Sequence, residues 1–202
     1  LYGNTIGLAN TAVGYHSLQF NTTGGYNIAI GATALCANTT GEKNIAIGNF
    51  GNQNNTIGGD NTTIGYGALK CNTTGNHNVA IGSCAACQAV TNATVSIGKA
   101  SMFSTTTGAC NTAVGSYSLF GNTIGIGNTA VGWRVAQCNT TGSCNTAVGT
   151  RALYGNTTGA RNTAVGLNAL CSNTGGSCNV SLGFNSLLAN TTGNCNTVVG
   201  SI

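Results

Sequence analysis

Twelve times along the chain an aliphatic residue is followed by glycine, from Gly14 and Gly31 through Gly183 to Gly200, and ten of the eleven intervals are seventeen residues long. The exception, Gly82 to Gly98, is sixteen. A period held this strictly leaves no stretch for a second, non-repeating domain, so residues 1–202 read as one tandem array. A unit this short cannot bury an apolar face by itself and must stack on its neighbours.

The unit is N-T-A-V-G-x-x-A-L-x-x-N-T-T-G-x-x, numbered one to seventeen from its first Asn. Position four is Val, Ile or Leu in every copy, and position two is Thr, Ile or Val. Branched residues on either side of a small one have strand spacing. Glycine at positions five and fifteen accounts for 23 of the 32 glycines, which marks corners rather than flexibility. The expected fold is all-β: a β-solenoid, or β-roll, of about twelve 17-residue coils, with two short strands and two tight corners per coil. In this reading the columns at two and four (Val13, Ile30, Ile47 and onward) face inward. Leu18, Leu35 and Leu69 at position nine add to the core, and the Asn columns at one and twelve form amide ladders. Asn52, the polar exception at position nine, is expected to be a local weakness.

A helical repeat would carry Gly and paired Thr in its interior, at up to about 1 kcal/mol each against Ala. Disorder is opposed by the aliphatic columns and by 41% hydrophobic residues. Only eight residues are acidic or basic: Glu42, Asp60, Lys43, Lys70, Lys99, Arg134, Arg151 and Arg161. Such sparse charge gives no basic stripe for nucleic acid. No carboxylate pair stands ready for acid and base roles, and His16 and His77 fall at different positions of distant units, so no catalytic residue, metal site or cofactor is expected. No apolar run is long enough to span a bilayer. The chain opens at Leu1, position nine, and stops at Ile202, position seven. The expectation is a segment of a longer rod, or a subunit whose ends meet those of the next copy.

Ten cysteines with no Pro and one Met point to an oxidising, extracellular setting. Cys110, Cys144, Cys178 and Cys195 share position seventeen, while Cys36, Cys71, Cys87, Cys138 and Cys171 sit at ten or eleven. Coils about 4.8 Å apart permit a disulfide between neighbouring rungs. Cys71 with Cys87 and Cys178 with Cys195 are the candidates between coils. Cys138 with Cys144 and Cys171 with Cys178 are candidates within one, and Cys178 cannot serve both schemes. Cys84 and Cys87 form a C-x-x-C in the shortened unit, read as a disulfide or structural thiols rather than a metal site.

Position three is Ala at Ala12, Ala29, Ala46, Ala80, Ala113, Ala130, Ala147 and Ala164. Opposite an inward two and four, it would form a smooth outer stripe suited to self-association, unless both faces are buried in a thicker single-chain roll. The units resemble the head repeats of trimeric autotransporter adhesins and the N-T-A-V-G and N-T-T-G repeats of bacterial surface and tail-fibre-like proteins, over essentially the whole chain, with Asn111 to Gly115 and Asn156 to Gly159 matching outright. The resemblance implies a β-roll, three intertwined chains and an extracellular adhesive or stalk role. The unit is longer than the adhesin-head unit.

The function expected is that of an extracellular or cell-surface rod or fibre subunit, not an enzyme. Its partners would be copies of itself, as a trimer or a head-to-tail fibre, and glycans or a cell surface. The alternative is a carbohydrate- or surface-binding module, because Tyr15, Phe50, Tyr66, Tyr117, Trp133, Arg134, Arg151 and Phe184 gather at positions six and seven. Ice binding by the paired Thr at thirteen and fourteen is a third reading, interrupted by Ile57, Ile124 and Gly175. The N-T-T motif also makes glycosylation sequons at Asn21, Asn38, Asn72, Asn139, Asn156 and Asn190, with others at Asn54, Asn61, Asn92 and Asn179.

Overall fold

The computed structural model describes residues 2–201. The end-to-end register between Ile202 and Leu1 lies outside them. Twelve three-residue strands run from β1 (Thr11–Val13) through β4 (Thr62–Ile64), β6 (Val95–Ile97), β8 (Thr129–Val131) and β9 (Thr146–Val148) to β12 (Thr197–Val199). They pair in parallel, in strict sequence order, as one twelve-stranded sheet. Like stacks on like: Thr11, Ala12 and Val13 lie against Ile28, Ala29 and Ile30, and the same columns continue to the last coil. The chain is a β-solenoid.

Each coil has one strand rather than the two expected. The cause is backbone handedness. Positions seven, nine and seventeen lie in the left-handed region in coil after coil, as at Arg151, Leu153 and Arg161, whose φ values are 56°, 55° and 57°. Such bends cannot continue a strand, so the far side of the coil is built from turns tied to the next coil by single hydrogen bonds, such as Leu35 N–H to Gly51 O at 3.1 Å. Position five needs glycine for two reasons. Gly65 has φ +132°, and a Cβ placed there would lie 2.6 Å from Gly82 O.

The two faces of the strand are inverted relative to the expectation. Ala29, Ala46, Ala80, Ala113, Ala130 and Ala164 are 0% exposed. Val13, Ile30 and Ile47 stack in register but are 57%, 38% and 38% exposed. The lumen explains this. Leu at position nine, small residues at eight and Asn at one and twelve fill the cross-section, leaving room behind the strand for little more than one methyl group. The bulkier Val and Ile therefore point outward, where branched side chains still suit the pleated surface.

The Asn ladders form as expected and run through the interior. Along position twelve, Asn38 Nδ2 donates to Asn21 Oδ1 at 2.7 Å and to Gly41 O at 2.9 Å. Along position one, Asn44 Nδ2 donates to Gly58 O at 2.8 Å, and Asn44 N–H donates to Asn27 Oδ1 at 2.9 Å. These amides satisfy carbonyls that a narrow coil buries away from water. The apolar core is divided into three clusters. One seam is at Asn52, fully buried with neither side-chain amide atom hydrogen-bonded. The other is at Ser96 and Ser101, whose hydroxyls pair at 2.6 Å.

Candidate functional site

Two surfaces stand out. The first is the strand face, twelve coils long, on which Ile30, Ile47, Ile64, Val131 and Val165 are exposed among the Thr, Val and Ile of positions two and four. This face, and not the alanine stripe, is the one turned to solvent. Ala29, Ala46, Ala80, Ala113, Ala130, Ala147 and Ala164 are buried in the lumen and Ala12 is partly buried against it, so the column forms no outer stripe.

The second surface is the corner formed by positions six, seven and ten, where rings and cations interleave. The Arg134 guanidinium lies 4.7 Å from the centroid of Trp133, and that of Arg151 lies 4.8 Å from Tyr154. Lys99 sits 5.9 Å from Tyr117, and Lys70 sits 5.2 Å from Phe50. Phe103 and Phe120 stack at 5.4 Å, and Phe50 meets Tyr66 edge-on. Tyr15 and Phe184 are exposed in the same columns near the two ends. The corner expected from the sequence therefore exists, and Lys70 and Lys99 are cations that the aromatic pattern alone did not bring out. Position spacing could have found them, since both fall at six or ten of the unit.

All ten cysteines are free thiols, so the expected disulfides are absent. The backbone still brings Cys71 beside Cys87, with Cys71 N–H donating to Cys87 O at 2.9 Å. Burial, followed by the neighbouring thiols of Cys71 and Cys84, pushes the Cys87 thiol up from 9.0 to about 11. It is thereby kept protonated and unreactive. Burial, followed by the thiol of Cys171, also pushes the Cys138 thiol up. The buried turn in which Asn139 Nδ2 donates to Gly142 O separates Cys138 from Cys144 in the chain. Cys144, Cys178 and Cys195 are exposed at position seventeen, whereas Cys171 is buried. Among the described residues, no three His, Cys, Asp or Glu side chains gather as a metal site, and no helix is long and apolar enough to cross a membrane.

The sequons require correction. Asn21, Asn38, Asn72, Asn139 and Asn156 are fully buried, and their Nδ2 atoms, where a glycan would attach, each donate two hydrogen bonds inside the ladder. Asn190 near the end makes the same two bonds. A sugar there is incompatible with the folded coil. The Thr pairs are also unequal. Hydroxyls at position thirteen donate to the next coil, as Thr22 Oγ1 does to Thr39 O at 3.0 Å, whereas Thr23 and Thr40 at position fourteen are exposed. No protein-family model, curated protein or solved structure matches the chain.

Proposed function

We propose that the chain is a structural subunit of an extracellular rod or fibre, self-associating through its strand face and performing no catalysis. The observation that carries this reading is the unbroken outward column of Val, Ile and Leu at position four on a regular parallel sheet. A repeated aliphatic face of this length is unusual on a surface that stays in water, and a second copy with the same repeat offers a matching one. The resemblance to adhesin head repeats adds three as the expected number of chains and an extracellular placement.

Sedimentation of the purified protein tests it. The chain is expected to sediment as an oligomer, while Ile47→Lys combined with Val131→Lys, both on the exposed column, gives a monomer with unchanged far-ultraviolet circular dichroism. A wild-type protein that remains monomeric at tens of micromolar removes the proposal. A second reading, adhesion through the corner of rings and cations, is favoured by the four cation–ring pairs on that corner.

A further inference from the structure

Although the chain has only six cations and two acids, the fold sorts them. Lys43 and Arg161 at position seventeen share their corner with Glu42 and Asp60, so that corner sums to zero. Lys70, Lys99, Arg134 and Arg151 lie at positions six, seven and ten, with no acid in those columns. The whole formal charge of +4 is therefore carried by the aromatic corner. None of these four cations has a carboxylate partner among the described residues, where the one ion pair is His77 with Asp60 at 3.9 Å on the other corner. The Arg134 Nε atom is buried without a hydrogen-bond partner.

Placement adds a second constraint. Lys70, Lys99 and Arg134 follow β4, β6 and β8, and their charged groups are spread along the corner, with Lys70 reaching back to Phe50 on the preceding coil and Lys99 forward to Tyr117 on the following one. Arg151 follows β9 on the next coil. Exposed or half-exposed rings stand beside each cation, and Trp133 is 46% exposed. Rings of this kind offer stacking faces to the apolar sides of sugar rings, and the cations offer fixed points of positive charge between them.

We infer that this corner binds an extended acidic polysaccharide, laid along the rod axis. The inference rests on the adhesive reading of the corner and names its ligand. An extended glycan of this class offers apolar ring faces to the exposed aromatics and widely separated carboxylates or sulfates to the four sparse cations. Nucleic acid fits less well, because a strand carries a phosphate at every nucleotide, more closely than the cations are set.

Binding of the full chain to hyaluronan, neutral dextran and single-stranded oligothymidylate, measured by titration calorimetry at low and high salt, tests this. Hyaluronan is expected to bind, more weakly as salt rises, with dextran and oligothymidylate well behind. Lys99→Gln with Arg134→Gln, which keeps the side-chain stems, is expected to weaken hyaluronan binding about tenfold, and Lys43→Gln with Arg161→Gln to leave it unchanged. Equal binding of dextran overturns the acidic ligand while leaving an adhesive corner. Preferential binding of oligothymidylate, or equal loss in the two double variants, overturns the inference, and binding of none of the three removes the adhesive reading with it.

Discussion

Asn52 occupies the lumen position that Leu35 and Leu69 fill in the adjacent coils, and both atoms of its amide are buried without partners. Replacing it with Leu removes an unsatisfied polar group and extends the neighbouring cluster. Asn52→Leu is therefore expected to stabilise the fold by roughly 2–4 kcal/mol in a chemical denaturation measurement. Thr63, the position-three residue of the next coil, has the same defect in its hydroxyl. The contrast with Ser96 and Ser181 is informative. Each of these places a hydroxyl at position three, and each is matched by a second serine at position eight, Ser101 or Ser186, which supplies the partner. The weakness of Asn52 was legible in the sequence because its column is otherwise apolar. The left-handed backbone at Leu35, Arg151 or Cys178 was not, since none of these residue types favours it. Asn52, Asp60, Gly67, Gly127, Asn168 and Asn185 are the members of those columns that do.

At the scale of one coil, the amide ladder does more than fill space. Asn55 Nδ2 donates to Asn38 Oδ1 and to Gly58 O, both at 2.8 Å, and Asn55 Oδ1 accepts from Asn72 Nδ2 at 3.1 Å. Asn55→Ala removes all three bonds and leaves Asn38 Oδ1 buried without a partner, while Gly58 O keeps Asn44 Nδ2 and Asn72 Nδ2 keeps Gly75 O; it is expected to cost about 1–3 kcal/mol, read as a lower denaturation midpoint. The shortened coil shows how the same gap is accommodated when the backbone changes with it. Ala89 stands at position twelve and Thr91 takes the place of the position-fifteen glycine. In ordinary coils a Cβ at fifteen would meet the Asn side chain at twelve, as Gly58 would meet Asn55 Oδ1 at 2.5 Å, and Ala89 lacks that atom. Thr94 then continues the position-one ladder, its N–H and hydroxyl both donating to Asn78 Oδ1. Strand positions and register were readable from T-A-V and I-A-I because the period was fixed. Which face turned inward was not, because alternation looks the same from either side and the width of the lumen is set by residues half a coil away.

For the whole molecule, repetition makes length adjustable. Excising residues 162–178, one full unit, joins Arg161 to Asn179 in register, so the protein is expected to fold with a melting temperature only a few degrees changed. Removing residues 162–169 instead turns every later column to the wrong side, and loss of the cooperative transition is expected; a thermal scan of the two variants distinguishes them. The twelve coils span about 53 Å. That span is not uniform, because the three apolar clusters meet only across Asn52 and across the Ser96–Ser101 pair. A shaft joined this way has two compliant points along an otherwise stiff length. Under bending or tension it yields there first, and the intact blocks on either side remain to guide the opened coils back into place.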